Sequence, residues 1–556
     1  MKFLGVVLAL AGVASAQSGK DVSVRVFSTQ RVDLVRVTAG AGDTVRRCPT
    51  CAAEVFTGGM EVKAGAGVWV QLSGQMTMEA GGRRATAAGK WLISEGKDGL
   101  RVVVTLASER YVKAVLASET AGGEPVESLK ALAVVARSFA LSGGRHLSDG
   151  YEFCDSTHCQ AMRLGTVSKE IEAAVDETAG ETLWFEGHRA EGYFTQNCGG
   201  MTESASGVWG GAEKPWLRGH SDGWCQRVPS QWHADVESGA LRDALAAEGW
   251  RLQVVDVVRV VDRLASGRVR RVEVSGGGKR VEIPAASFRF AVDRALGWNT
   301  LRSDWYEMRF AVGKLTVDGK GFGHGVGLCQ AGAGAMARAG KGYREILAFY
   351  FAGARVGLSA GDSGWVKGAG NGWTLFSSLR AERAQVVVKA GDAALVHARE
   401  VFGVKDSPAA RVWVFGDTEG FRQRSLQPGW DLAAARGDEV FVQPLEIVER
   451  KGGVEALLFH EFLHVLVERE AAAAAPLWLR EGLVEYLAGE RCFGVMTTSE
   501  IDRGLRGARS AEESRLAHAA AGAMVKKLVG IYGQSVVKRM VRMERWRGFK
   551  EDGTPE

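Results

Sequence analysis

Apolar residues in the first hundred positions of the chain alternate with polar residues or glycine. The segments 22–26 and 101–104 show this pattern between residues 20 and about 105. A period of two residues places apolar side chains on one face of an extended strand. From Glu127 to about Leu141 the apolar period becomes that of an α-helix. The sequence therefore predicts a β-rich region at 17–105, followed by mixed helices and strands.

The length of the chain requires more than one domain. At about 150 residues per domain, 556 residues correspond to several hydrophobic cores. A stretch rich in Gly and Ser, residues 357–373, predicts a linker, and a further unit of helices and strands follows it. We predict an α+β multidomain protein with a mixed α/β domain at 106–356 and a separate α+β domain at 374–545.

Composition excludes several classes of protein. Hydrophobic residues at 46% and charged residues at 24% are typical of a globular chain and exclude a disordered one. Lys and Arg exceed Asp and Glu by 70 − 65 = 5, which is a small excess for this length. Because nucleic-acid binding depends on dense positive charge, we expect no nucleic-acid partner.

The first sixteen residues have the pattern of a secretory signal. Met1 and Lys2 form a short positive region, residues 3–13 are apolar, and Ala14-Ser15-Ala16 resembles a cleavage site. The apolar run is shorter than the roughly 20 residues that cross a bilayer, and no later stretch is long and apolar enough. We expect signal cleavage after residue 16, export to the periplasm, cell wall or medium, and no membrane span in the mature chain.

Eight cysteines in an exported chain make disulfides possible. Cys48 and Cys51 are separated by two residues, which is the spacing of half a zinc ribbon. Since no second motif of this kind completes such a site, a local disulfide or a plain loop is favoured.

The helix predicted from Glu127 has two different faces. At about 100° per residue, Leu129 and Leu132 lie on an apolar face. Glu127, Lys130 and Arg137 lie on the opposite side, where they would line one groove. Without further evidence, a solvated charged face explains the same pattern.

The segment 127–138 resembles the signature helix of the SpoIID/LytB family, which comprises stage II sporulation protein D and the amidase enhancers. Four later blocks resemble the same family in the same order: residues 154–160, 193–203, 288–289 with 301–303, and 319–330. Characterised members of this family are lytic transglycosylases of peptidoglycan. The resemblance implies two kinds of partner for this chain. One is peptidoglycan glycan strands, and the other, by similarity to the amidase enhancers, is a cell-wall amidase.

By resemblance, Glu127 is the catalytic acid. In this reaction one carboxyl group protonates the glycosidic oxygen and then removes a proton from the muramoyl 6-hydroxyl, which closes a 1,6-anhydro ring. A second catalytic carboxylate is therefore not required. Because the acid must hold its proton, we expect its carboxyl group in a partly apolar cleft. Lys130 and Arg137 would oppose that effect, so we expect both to contact substrate or other acids.

Two other blocks supply candidate site residues. Cys154, His158 and Cys159, with His146 upstream, resemble the two-Cys, two-His structural zinc site of some family members, and a Cys154–Cys159 disulfide is the alternative.

Glycine occupies every second position from 319 to 327, a spacing that does not fit the dinucleotide or phosphate-loop motifs. A backbone without side chains suits close approach to a sugar. We expect His324, Gln330 and Asn197 to contact the glycan, with Thr202 in the same groove. Cys198 is expected either to pair with Cys225 or to be a buried thiol.

The last domain carries an HExxH motif within an apolar helical pattern, at His460, Glu461 and His464. Residues i and i+4 share a helix face, so both imidazoles could bind one zinc ion, with Glu461 as general base. The glycine and histidine that a metzincin requires downstream are replaced by Val467 and Glu470.

The later Trp478-Leu-Arg-Glu481-Gly segment resembles the second-helix motif of gluzincin peptidases, which implies Glu481 as the third ligand. Glu485 is expected either to support that ligand or to be exposed, and His518 and Tyr532 are candidates for stabilising a transition state. A domain that binds zinc without turnover is the alternative.

Together these patterns predict an exported cell-wall protein in which a glycan-cleaving domain is fused to a zinc metallopeptidase. One alternative is that the SpoIID-like part binds glycan and stimulates an amidase without cutting. Another is that the chain is chiefly a zinc endopeptidase carried by a wall-targeting module.

Overall fold

The computed structural model describes residues 21–40, 42–361, 364–406 and 409–543. The chain divides into two compact units, with the boundary between residues 362 and 363. The multidomain α+β prediction is confirmed, whereas the predicted signal segment lies outside the described residues. Within the described part, no helix is both long and apolar enough to cross a membrane.

The first unit contains the strands β1 (Asp21–Val26), β2 (Leu34–Ala39), β3 (Thr44–Arg46), β4 (Glu54–Val55), β5 (Gly58–Lys63), β6 (Trp69–Ala80), β7 (Arg83–Gly96), β8 (Gly99–Ala107), β9 (Phe153–Cys154), β10 (Thr182–Phe185), β11 (His188–Arg189), β12 (Phe194–Thr195), β13 (Gln231–Glu237), β14 (Val257–Arg263), β15 (Val269–Gly276), β16 (Lys279–Pro284), β17 (Tyr306–Ala311), β18 (Lys314–Lys320), β19 (Leu328–Cys329) and β20 (Arg355–Gly357). Its α-helices are α1 (Ser108–Glu119), α2 (Val126–Leu141), α3 (Lys169–Glu177), α4 (Ala205–Trp209), α5 (Ser238–Ala247), α6 (Ala285–Leu296), α7 (Gln330–Arg338) and α8 (Tyr343–Tyr350).

The N-terminal strands form a largely antiparallel sheet in the order β4-β3-β6-β7-β8-β1-β9, and β2 pairs with β5 and β6. Strand β1 shows the predicted alternation of buried and more exposed residues. Strand β8 runs directly into α1, and the sheet and the helices share one hydrophobic core. The regions predicted as 17–105 and 106–356 therefore form one compact unit instead of two domains. The apolar surface of the sheet and that of the helices cover each other, so neither is shielded from water without the other.

Helix α2 is the centre of this core. It begins after Pro125, whose fixed φ suits a helix start, and every residue from Ser128 to Ala140 is buried. It packs against α1, α3, α7 and α8. A helix surrounded in this way is buried on all sides, so the charged face that we predicted for it is not a solvated surface.

Residues 231–320 of the first unit surround a second core. The strands there form two sheets, in the orders β13-β18-β17 and β14-β15-β16, against which α5 and α6 pack. Strands β15 and β16 form a hairpin that is joined at Gly277-Gly278. Strand β18 leads from this region into the glycine-rich segment.

The second unit contains the strands β21 (Val366–Ala369), β22 (Trp373–Ser377), β23 (Ala410–Val414), β24 (Ala433–Arg436) and β25 (Glu439–Val442), and the helices α9 (Ala381–Phe402), α10 (Thr418–Ser425), α11 (Leu445–Glu449), α12 (Val454–Glu470), α13 (Leu477–Leu487), α14 (Thr498–Gly507), α15 (Ala511–Tyr532) and α16 (Gln534–Met540). Its sheet has the order β21-β22-β23-β25-β24.

The predicted linker at 357–373 contains β21 and the first residue of β22, so most of it is part of the second unit. Trp365 and Trp373 are buried in this stretch. A side chain at Gly370 would place its Cβ 2.1 Å from the Trp373 indole nitrogen. Here glycine makes room for a buried tryptophan, which composition alone does not distinguish from a flexible linker.

Candidate functional site

A cavity of about 390 Å³ opens in the first unit between the end of α1, the first turns of α2, and α7. This volume is within the range of roughly 300–1,000 Å³ that is typical of ligand pockets. Leu129 and Leu132 form part of an apolar wall, and Asn197 and Gln330 bring amide groups to it. Arg302 and Arg338 also line it. The cavity therefore combines apolar surface with hydrogen-bonding groups, as a saccharide site requires.

The loop between α1 and α2 places a carboxyl group in this cavity. Helix α1 ends at Glu119, because Thr120 has extended backbone angles. The side chain of Glu124 accepts hydrogen bonds from the amides of Ala121 (2.8 Å) and Gly122 (3.0 Å), which fixes the loop before Pro125 begins the next helix. Glu119 and Glu124 both line the cavity, but the oxygens of Glu124 are already occupied.

Glu119 has the properties of a general acid. Burial raises the pKa of its carboxyl group to about 7. Neither a hydrogen bond nor an ion pair to Glu119 is found among the described residues. The C-terminal end of a helix also disfavours negative charge. Sequence reasoning missed this residue. The signal that could have found it is the helix break at residues 120–125, which places the last residue of α1 beside the loop.

Glu127, which we predicted as the acid, does not line this cavity. Its Oε1 accepts a hydrogen bond from Lys130 Nζ at 2.8 Å, and its Oε2 accepts one from the Tyr343 amide at 2.8 Å. Lys130 is itself nearly buried and forms a second ion pair with Glu177, also at 2.8 Å. These contacts join α2 to α3 and to the start of α8. Lys130 thus contacts other acids, as the sequence allowed, and Glu127 lies outside the cavity lining with both carboxyl oxygens hydrogen-bonded.

Arg137 does not line the groove, but it contacts another acid, which is the second of the two expectations for this residue. Its side chain is fully buried, and it forms an ion pair with Glu109 of α1, with Nη2 and Oε2 2.6 Å apart. Its Nη1 donates to the carbonyl of Glu181 at 3.0 Å. The projection failed because it assumed that one face of α2 meets solvent, whereas both faces of this helix meet protein.

Asn197 and Gln330 lie where the prediction placed them, in the cavity lining. Asn197 Oδ1 accepts a hydrogen bond from the Gly199 amide at 2.8 Å. The Nε2 atom of Gln330 is buried and has no hydrogen-bond partner in the described structure. Since a buried donor without a partner is costly, this amide is a natural contact for a ligand oxygen.

His324 lies outside the cavity lining, contrary to expectation. Its ring centroid is 4.9 Å from that of Trp209, and its Nδ1 accepts a hydrogen bond from the Val326 amide at 3.0 Å. Burial lowers the pKa of His324 to about 3, so the ring is neutral. Thr202 is also buried, and its hydroxyl contacts His220.

The alternating glycines serve packing within the protein. A Cβ at Gly321 would lie 2.9 Å from the carbonyl oxygen of Asn197, and one at Gly325 would lie 2.2 Å from the guanidinium of Arg268. Gly321 also lines the cavity. We expected these glycines to let a sugar approach the backbone. The structure corrects that expectation, because protein atoms occupy the space that side chains would need.

His146, Cys154, His158 and Cys159 come together as the resemblance implies. One ligand atom from each lies within 4.8 Å of the others. The sulfurs of Cys154 and Cys159 are 3.4 Å apart and not bonded, and His158 Nδ1 is 3.6 Å from Cys159 Sγ. The buried Nε2 of His146 has no hydrogen-bond partner in the described structure. Two thiols and two imidazoles at these distances could hold a tetrahedral zinc ion. By contrast, Cys48 and Cys51 form a disulfide, one of the two arrangements that we favoured over a zinc site.

The HExxH motif lies on α12, and Glu481 lies on α13. His464 Nε2 is 3.2 Å from His460 Nε2 and 3.8 Å from Glu481 Oε2. Burial lowers the pKa of each histidine to about 4, so both rings are neutral and able to act as metal ligands. His518, on α15, is 3.7 Å from Glu481 Oε2.

Two acids complete this group. Glu461 is buried, and its Oε2 has no hydrogen-bond partner in the described structure. Burial, with a contribution from Glu481, raises the pKa of Glu461 to about 8. Glu485 is buried, and its Oε1 lies 3.1 Å from His518 Nδ1. It therefore contacts a residue of this group and is not an exposed charge. These donors could hold a zinc ion with a proton acceptor beside it.

The sequence has recognisable relatives. The SpoIID model, described as stage II sporulation protein, matches residues 96–185, which lie in the first unit. The chain is 31% identical over 259 residues to an uncharacterized protein of Brachyspira hyodysenteriae, a match that covers 46% of this chain and 68% of that protein. It is 28% identical over 272 residues to stage II sporulation protein D of Bacillus amyloliquefaciens, covering 46% of this chain and 75% of the relative.

An amidase enhancer of Bacillus subtilis is 24% identical over 288 residues, which cover 44% of this chain and 39% of the enhancer. The family match includes β8, α1 and α2, and therefore both Glu119 and Glu127. Through its first unit, the chain belongs to the SpoIID family.

Proposed function

We propose that this protein is exported and acts on the bacterial cell wall, and that its first unit cleaves peptidoglycan glycan strands as a lytic transglycosylase. Membership of the SpoIID family supports the cell-wall role. The observation that carries the chemistry is Glu119, a carboxyl group without a partner in a ligand-sized cavity, whose pKa is about 7.

Glu119 replaces Glu127 as the proposed acid and base. In its neutral form it donates a proton to the oxygen that links N-acetylmuramic acid to N-acetylglucosamine, and the glycosidic bond breaks. The resulting carboxylate then accepts the proton of the muramoyl 6-hydroxyl as that oxygen attacks the anomeric carbon. The carboxyl group ends with its proton restored, and no water is consumed. A pKa near neutrality suits a carboxyl group that must first donate a proton and then accept one.

Other residues of the cavity would position the glycan. Gln330 offers a buried N–H donor without a partner, which suits a hydroxyl or acetamido oxygen. Asn197 holds the neighbouring backbone and presents its amide to the same space. Leu129 and Leu132 provide apolar surface in the cavity that Glu119 also lines.

For the second unit we propose a zinc metallopeptidase. His460, His464 and Glu481 would hold the ion, which would supply Lewis-acid activation of a water molecule and a peptide carbonyl. Glu461 would accept the proton of the nucleophile, because the positive charge of a bound ion would favour its carboxylate form and its Oε2 has no hydrogen-bond partner in the described structure. In the first unit, a structural zinc ion at His146, Cys154, His158 and Cys159 would tie the end of β9 and the loop that follows it to the loop that precedes it.

The name of the Bacillus subtilis relative favours a second candidate, in which this chain stimulates a cell-wall amidase without cutting glycan. In that case the cavity binds a glycan strand and presents it to the partner enzyme. The two functions differ in their products, because only a transglycosylase creates 1,6-anhydro-muramoyl ends.

The decisive experiment uses the purified full chain and glycan strands freed of stem peptides, with products identified by mass spectrometry. We expect 1,6-anhydro-muramoyl ends from the wild type and a loss of at least about 10²-fold in Glu119→Gln. Glu127→Gln is the matched control, since it changes a nearby carboxyl group outside the cavity, and it should retain activity. Stimulation of a purified amidase without anhydro ends would instead establish the enhancer function.

A further inference from the structure

A second set of metal-binding side chains lies in the first unit, apart from the Cys and His cluster described above. Cys198, Asp222, Cys225 and Cys329 each place a ligand atom within 4.8 Å of the others. All four side chains are fully buried, and the three cysteines are not disulfide-bonded. Cys198 is thus the buried thiol that the sequence allowed, but it has partners from two other parts of the chain.

The carboxylate of Asp222 is held in a fixed orientation. Its Oδ1 accepts hydrogen bonds from the amides of Trp224 (3.1 Å) and Cys225 (2.9 Å). Its Oδ2 accepts one from the Tyr350 hydroxyl at 2.7 Å and is 3.2 Å from Cys198 Sγ. Hydrogen bonds of this kind orient the ligands of protein metal sites.

The sulfur of Cys329 is contacted by backbone N–H groups. It lies at the first turn of α7 and accepts hydrogen bonds from the amides of Cys198 (3.2 Å) and Gly332 (3.4 Å). Backbone N–H groups at the start of a helix stabilise a thiolate. A side chain at Gly332 would place its Cβ 2.6 Å from Asp222 Oδ2, so glycine is needed for α7 to approach this closely.

A buried cation accompanies the cluster. Arg268 is 2% exposed, and its Nη2 donates to the carbonyl of Cys198 at 2.6 Å. Its Nε and Nη1 are buried and have no hydrogen-bond partner in the described structure. Three thiolates and a carboxylate around a divalent ion carry a net charge of −2. A guanidinium beside them reduces the cost of burying that charge.

We propose that Cys198, Asp222, Cys225 and Cys329 form a structural zinc site. Three sulfurs and one carboxylate oxygen are ligands that zinc accepts in tetrahedral geometry, and four protein donors in a fully buried position leave no place for substrate. Soft thiolates disfavour magnesium and calcium.

The site lies directly beneath the cavity. Cys198 follows Asn197, and Cys329 precedes Gln330, so each of these two cavity residues is bonded to a proposed ligand. The metal would fix three segments that are distant in sequence, at 197–200, 222–225 and 329–332. The existence of this site does not depend on whether the cavity cleaves glycan.

The test is the zinc content of the purified full chain, measured by inductively coupled plasma mass spectrometry. We expect Cys225→Ser to lose one equivalent of zinc per chain, Cys154→Ser/Cys159→Ser to lose a different one, and the combination to lose both. Cys492→Ser, which changes a cysteine outside both clusters, should lose none. Unchanged zinc in folded Cys225→Ser overturns the proposal.

Two measurements decide the matter if Cys225→Ser does not fold. The first is the absorption spectrum of cobalt-substituted Cys154→Ser/Cys159→Ser, in which thiolate-to-cobalt charge transfer is expected from the remaining cluster. The second is a non-reducing peptide map of the wild type. Absence of the charge-transfer band, or a disulfide between any two of Cys198, Cys225 and Cys329, overturns the proposal.

Discussion

Glu119 and Glu127 flank the same short loop, and of the two only Glu119 reaches the cavity, because Lys130 and the Tyr343 amide hold Glu127 outside it. One carboxyl group is left without a partner and the other has both oxygens bonded. This difference separates the proposed proton donor from a neighbour that resembles it in sequence.

The pH dependence of glycan cleavage should report the environment of Glu119. Its pKa is raised to about 7, so the neutral form that donates the proton predominates below that pH. We expect kcat/KM to fall about tenfold per unit as pH rises above about 7. Measuring initial rates across pH 5–9 tests this, and Glu127→Gln should give the same profile. A decline that already begins near pH 4.5 would contradict the assignment.

The free energy of unfolding should also depend on the ionisation of Glu119. The unfolded chain ionises Glu119 near its ordinary pKa of 4.5, whereas the folded chain keeps it neutral up to about 7. The stability that this group contributes is therefore complete below pH 4.5 and lost as pH rises through 7, a change on the order of 3 kcal/mol. The free energy of unfolding of Glu119→Gln, taken relative to that of the wild type, should therefore be higher at pH 8 than at pH 4. Urea unfolding at both values measures the difference, and a pH-independent difference would refute it.

Arg137 should matter for stability and not for binding. Replacing it by Met leaves Glu109 as a buried charge without its cation, which costs about 3–5 kcal/mol in comparable cases. Denaturant unfolding of Arg137→Met should show this loss, and Arg137→Met/Glu109→Leu should recover much of it. If Arg137→Met folds with wild-type stability but binds glycan weakly, the groove assignment would have to be restored.

Proteolysis by the second unit should depend on Glu461. Glu461→Gln preserves the shape of the side chain but removes its ability to accept a proton, so we expect peptide cleavage to fall at least about 10²-fold with unchanged zinc content. His464→Ala should lose both activity and one zinc equivalent. A peptide library with mass-spectrometric detection is a suitable substrate. Full activity in Glu461→Gln would exclude the proposed base.

Local pattern predicted the helices that carry the motifs. The apolar period located α2 from Glu127 to Leu141, and the i, i+4 spacing placed His460 and His464 on one face of α12. The cluster around Cys154 could also be predicted from the sequence, because three of its side chains are close together in the chain.

Tertiary contacts account for what was missed. The partner of Arg137 is on another helix, and nothing in the local pattern distinguishes a buried ion pair from an exposed charge. Glu119 becomes distinctive only when α2, α7 and the 196–197 segment surround it. The ligands around Cys198 come from three separate segments, so their spacing carries no recognisable motif.

The common core of the N-terminal sheet and the helices also restricts how this chain can be dissected. A truncated chain that begins at residue 96, where the family match starts, would lack β1 and most of the sheet. Its α1 and α2 would then expose apolar surface that is now part of the core shared with the sheet, and we expect aggregation. Recombinant fragments, and any transfer of the first unit to another protein, therefore need the chain from Asp21 onward.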